Sequence, residues 1–139
     1  MKNAKAWIPI SLAVIITLSL LSFSWFSMRV DSGFATEVLL EYRYADKDIS
    51  VKITDEDDVL SLKQILNGHT FVDSPACGFT TNVSVTMASD SKSIVFCPAC
   101  DGCPLVLVSD IGRYIKISDA AREELDSILE RYGAFFPCV

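Results

Sequence analysis

Residues 38–53 read VLLEYRYADKDISVKI, two alternating runs on either side of a polar turn. Val38, Leu40, Tyr42 and Tyr44 alternate with polar neighbours, Leu39 excepted, and Ile49, Val51 and Ile53 alternate again after Ala45-Asp46-Lys47-Asp48. A period of two places each set on one face of a half-buried strand, so the stretch predicts an antiparallel hairpin. That apolar face needs a cover, and the residues on the C-terminal side supply one.

Thr54 is an N-cap with Asp57 three residues on, and Asp55, Glu56, Asp57 and Asp58 crowd the first turn of a helix. Carboxylates there face the positive end of the helix dipole. Val59, Leu62 and Leu66 form its apolar stripe, and Asn67-Gly68 stops it. A short run at 69–72 follows, then a loop at 73–78. Strands are expected at 80–87 (Val83, Val85 and Met87 on one face), 93–97 (Ile94 and Phe96), 105–108 and 114–117. Ser118 caps a last helix with the apolar face Ala121, Leu125, Ile128, Leu129 and Tyr132, and Gly133 is placed to end it in the left-handed conformation. The tail 134–139 is too apolar to float free. Strands joined by short turns pair antiparallel, and two helices with single apolar stripes must lie on the sheet. The expected fold is α+β: one mostly antiparallel sheet with two helices packed on it.

On the N-terminal side the character changes. Residues 8–28, IPISLAVIITLSLLSFSWFSM, are twenty-one without a charge. As a helix they would be roughly 31 Å long, the thickness of a bilayer's hydrocarbon core. Trp7 stands at one edge and Trp25 and Phe26 near the other, where indole rings meet headgroups. Lys2 and Lys5 precede the run, and only Arg29 follows before Asp31, a bias that keeps the N-terminus inside. The expected order is a cytoplasmic tail at 1–7, a transmembrane signal anchor at 8–28, a spacer at 29–36 and an extracytoplasmic domain at 37–139. Cleavage as a signal peptide would leave that domain secreted. The tolerable cleavage sites, Ser22-Phe23-Ser24 and Gly33-Phe34-Ala35, fall inside the apolar run or well beyond it, which favours a retained anchor in the cell membrane.

The anchor also explains an odd composition. The 139 residues are 50% apolar with a net charge of −6, yet the mean hydropathy is +0.35. Residues 29–139 hold ten Lys and Arg against eighteen Asp and Glu, a net of −8. Such a domain lacks the positive charge that nucleic acid requires, and anionic headgroups would repel it. Its apolar content excludes disorder.

The remaining chemistry sits in five cysteines, Cys77, Cys97, Cys100, Cys103 and Cys138. Three of them form C-x-x-C-x-x-C over 97–103. A small exported domain gains from covalent staples, and Cys77, Cys100, Cys103 and Cys138 are the disulfide candidates. Cys97, at a strand end, is left as a free or metal-linked thiol. Two bridges plus one free thiol allow fifteen arrangements among five cysteines, so connectivity stays open.

Two alternatives use the same residues. Cys100 and Cys103 have the spacing of a thiol–disulfide oxidoreductase, but a strand follows them rather than a helix, and Asp101 would disfavour the thiolate. Zinc could take three of these cysteines with Cys77, Cys138 or His69. The run also imitates part of a ferredoxin pattern but lacks the fourth Cys before Pro104. The acidic run 55–58 has no calcium-loop glycine and reads as a solvated helix start, and Asp101-Gly102 as a tight bend. A single histidine, no G-x-S-x-G elbow and no phosphate loop leave no catalytic residue, metal or cofactor to assign. Asn82-Val83-Ser84 matches a glycosylation acceptor but falls in an expected strand. The expected function is a membrane-anchored extracytoplasmic binding or accessory module, held in the membrane by residues 8–28 and facing a protein or envelope partner. The alternatives are a membrane-tethered oxidoreductase working through Cys100 and Cys103, or a zinc-binding domain.

Overall fold

In a computed structural model of the chain, the described residues are 16–17, 28–73, 75–80 and 82–135. The tail 1–7, nearly all of the run 8–28, and Cys138 lie outside them. Among the described residues no helix is long and apolar enough to cross a membrane.

The elements are β1 (Arg29–Val30), β2 (Glu37–Tyr44), β3 (Lys47–Ile53), α1 (Glu56–Ile65), β4 (Gly68–Phe71), β5 (Val83–Ala88), β6 (Ser93–Pro98), β7 (Leu105–Val108), a 3₁₀ turn (Ser109–Ile111), β8 (Arg113–Lys116) and α2 (Asp119–Arg131). All eight strands join one sheet in the order β1-β4-β8-β7-β6-β5-β2-β3, and every pairing is antiparallel. Over the described residues from 28 on, the fold is α+β, with one antiparallel sheet and two helices.

Register decides which face is buried. Val38 pairs with Met87 and Ile53, and Val85 with Leu40 and Phe96, while Val106, Val108 and Ile115 continue the same face across β7 and β8. Leu62, Ile65 and Leu66 of α1 and Leu125, Ile128 and Leu129 of α2 share one buried cluster with that face. Both helices therefore lie on the same side.

The hairpin of β2 and β3 is tighter than its sequence implies. Lys47 and Asp48 pair with Tyr44 and Arg43, leaving a two-residue turn in which Ala45 and Asp46 have φ of 47° and 62°. Positive φ at both positions twists the turn in the sense the strands require. The Arg43 guanidinium, 2.8 Å from Asp48, holds that carboxylate in the strand rather than in the turn.

Helix ends follow local chemistry. α1 is capped by Asp55 rather than Thr54: its carboxylate accepts the backbone N–H of Asp57 and Asp58, both at 3.1 Å. A charged acceptor at this position satisfies two orphan donors and also meets the dipole. Gly68 does not serve as a left-handed stop but opens β4, where an added Cβ would come 3.3 Å from Ile115. Ser118 caps α2 through Ala121 N–H at 3.1 Å. The other end closes as a Schellman motif, with Gly133 at φ 90°, its N–H donating to Glu130 O and Ala134 N–H to Leu129 O. A side chain at 133 would also strike Tyr42 Oη, 2.7 Å from the Cβ position.

The stretch 29–36, expected as a spacer, is part of the packed domain. Arg29 and Val30 pair with His69 and Gly68, and Val30, Ser32 and Ala35 are buried. Ser32 Oγ donates to Lys63 O at 2.7 Å, tying the segment to α1. Val30 and Ala35 are too few and too far apart to show periodicity, so their burial could not be read from pattern.

Candidate functional site

The chain crosses from β3 at one edge to β4 near the other through α1, and returns to β5 through residues 72–82. That return passes three strands, and its described residues carry no helix or strand. It lies on the sheet face opposite the helices, where Phe79 packs 5.1 Å from the Tyr114 ring and Phe71 lies 6.0 Å from the same ring. A long connection without its own hydrogen-bond ladder needs other fastenings, and the cysteine loop provides them.

Cys77, in this connection, is bonded to Cys103, in the β6–β7 loop, with a Cα–Cα distance of 6.2 Å. Around the bond the two loops are zipped by polar contacts. Cys100 N–H donates to Gly78 O at 2.9 Å, and the Cys100 thiol donates to the same oxygen at 3.1 Å. The Asp101 carboxylate accepts Gly78 N–H at 3.0 Å and Cys103 N–H at 3.2 Å. Gly102, at φ 78°, makes the bend that returns the chain to β7. Arg122, buried in the first turn of α2, reaches Cys103 O at 3.0 Å and Asp126 at 2.9 Å. The staple is thereby fixed to α2 as well.

The remaining cysteines differ. Cys97 is buried at the β6–β7 pairing, opposite Leu107, and Cys100 is half-buried; both are unbonded thiols. Burial, with the Asp110 charge second, pushes the Cys97 thiol up and keeps it protonated. Cys138 lies outside the described residues. Cys100 and Cys103, the spacing of an oxidoreductase pair, thus end on different partners: a backbone carbonyl and Cys77.

Among the described residues, Cys77, Asp101 and Cys103 are the group whose donor atoms lie close enough to share a cation, within 4.8 Å of one another. Two of those sulfurs are consumed in the bond and the carboxylate is engaged by two N–H groups. His69, exposed on β4 opposite Arg29, is not in the group. An open groove of about 400 Å³, lined by Phe71, Asp73, Cys77, Cys103, Pro104, Leu105 and Lys116, borders the disulfide.

The carboxylate of Asp101 has a role the sequence did not suggest. The Gly78 N–H, then the Cys103 N–H, hold it below the usual value of 3.8. A carboxylate held low in the folded chain adds stability that is complete above the unfolded value and fades as pH falls through the folded one. Asp101→Asn is therefore expected to flatten the decline in unfolding temperature between about pH 5 and about pH 2. Identical acid profiles for the two proteins would contradict this.

The acidic run 55–58 also divides its labour. Asp55 caps the helix, while Asp58 turns inward, accepting from Arg131 and from Tyr132 Oη at 2.9 Å. Burial, then the Asp58 hydrogen bond, raises Tyr132 above its ordinary value. Asp58 is thus a clasp between the two helices. No protein-family model, curated protein or solved structure matches this chain.

Proposed function

We propose that the protein is a membrane-anchored extracytoplasmic module that binds or assists an envelope or protein partner without catalysing a reaction. The observation that carries this reading is the use of the cysteine loop: Cys77, Cys103 and Asp101 are bound to one another's loops and to backbone groups, as structural fastenings are. A redox centre would instead present a dithiol with a stabilised thiolate, commonly at a helix N-terminus. Here the half-buried Cys100 thiol donates to the Gly78 carbonyl, and its x-x neighbour Cys103 is bonded to Cys77 instead. The apolar run 8–28 and the lysines Lys2 and Lys5 before it supply the topology of the proposal.

The test uses intact cells producing the full chain, treated with a membrane-impermeant maleimide and analysed by peptide mass mapping. Cys100 is expected to be labelled before lysis, Cys77 and Cys103 only after reduction, and Cys97 only after unfolding, on chains that sediment with membranes and retain residues 8–28. Labelling of Cys77 or Cys103 without reductant breaks the staple, and labelling of Cys100 only after lysis reverses the topology. In parallel, insulin reduction by the wild type and by Cys100→Ser should proceed at the same rate. A large drop in the variant would make the protein an oxidoreductase.

A further inference from the structure

β1 is hydrogen-bonded from its first residue, and the last residue of the apolar run is already in the ladder: Met28 O accepts both the N–H and the hydroxyl of Thr70, at 2.8 and 2.7 Å. No tether separates the run from the sheet. The pairing register then states what else lies at that end. Arg29 opposes His69, so the start of β1 adjoins the end of β4 and Val72; Phe71 opposes Tyr114, so the start of β8 and the 3₁₀ turn before it lie there too. Met28, Val72 and Ile111 are 40%, 60% and 41% exposed, three of the few large apolar side chains left open to solvent. Their placement at one end of neighbouring strands, beside the junction with an uncharged run, requires no coincidence if that end is not in water.

The geometry points to this end of the sheet, Met28 with Val72 and Ile111, as a rim that rests in the interface of the bilayer holding residues 8–28. The inference rests on the anchor proposed above. With no linker, an anchor ending at residue 28 sets β1 at the headgroup level and brings the adjoining rim down with it. The partner is a zwitterionic lipid surface met by apolar contact: Lys92, over the Phe34 ring at 4.5 Å, and Arg29 share this end with Asp73, Asp90 and Asp110, which gives no basic patch for anionic headgroups. The opposite end of the sheet carries the β2–β3 turn. β2 has eight residues, so the far end stands roughly 24 Å away.

The experiment places an indole at each end of the full chain, reconstituted in phosphatidylcholine vesicles, with Trp7→Phe and Trp25→Phe removing the native indoles. Val72→Trp reports on the rim and Tyr44→Trp on the far end; both native side chains are more than half exposed, so neither substitution disturbs the core. Lipids brominated high on the acyl chain are expected to quench emission from Val72→Trp by roughly half and to leave Tyr44→Trp unchanged. Ile111→Trp should repeat the Val72→Trp result. If the chain floats with the vesicles but both ends are quenched alike, or neither is, the rim is overturned while the anchor stands. If the chain does not float, the anchor fails and the inference falls with it.

Discussion

Cys77→Ser is expected to cost the oxidised protein about 3.5 kcal/mol of unfolding free energy, the chain-entropy value for a bond spanning 26 residues. For a domain of this size that corresponds to a fall in melting temperature of roughly 15 °C. The bond constrains the long connection that crosses three strands and whose described residues carry no helix or strand, so its loss frees the unfolded chain most where folding must order it most. Cys100→Ser removes only a thiol–carbonyl contact and should cost under about 1 kcal/mol. Urea unfolding of both variants and of the reduced wild type, in mild detergent, measures the difference. Reduced wild type should coincide with Cys77→Ser. Equal midpoints for Cys77→Ser and oxidised wild type would mean that the hydrogen bonds of Asp101 and Cys100 alone secure the connection.

That connection also marks the limit of what the sequence discloses. Elements with a local signal are legible: the alternation in 38–53, Ser118 before an apolar stripe, Gly133 after it, and the short run 105–108, which is β7 as expected. Each is settled by residues within one or two turns of chain. The sheet order is not, because β4 joins β8 and β5 joins β2 through contacts far apart in sequence. β1, with two residues, has no period to detect. Asp58 reads as one more acid in a solvated first turn until α2 brings Arg131 and Tyr132 to it. The site follows the same division. The cysteines identify themselves, but spacing cannot choose Cys77 over Cys100 as the partner of Cys103, since that choice is made by the path of residues 72–82 over the sheet.

Phe96→Ala is expected to cost about 3–5 kcal/mol, the largest effect of any single truncation here. Phe96 is fully buried on β6, a central strand, and its register neighbours are Val85 of β5 and Val108 of β7, both on the face that carries the helices. Removing the ring leaves a void that two hydrogen-bonded neighbouring strands cannot close without shifting the sheet. Phe135→Ala, at a residue 62% exposed beyond α2, should change stability by less than about 0.5 kcal/mol and controls for the chemistry of the substitution. The two large effects arise in different states, Phe96 through packing in the folded domain and Cys77 through the freedom of the unfolded chain, so they should add. Their sum, about 6.5–8.5 kcal/mol, is comparable with the whole stability of an ordinary small domain. The double variant Cys77→Ser/Phe96→Ala is therefore expected to be largely unfolded without denaturant, while each single variant retains a cooperative urea transition. A folded double variant would show that the disulfide and the core constrain the same part of the molecule.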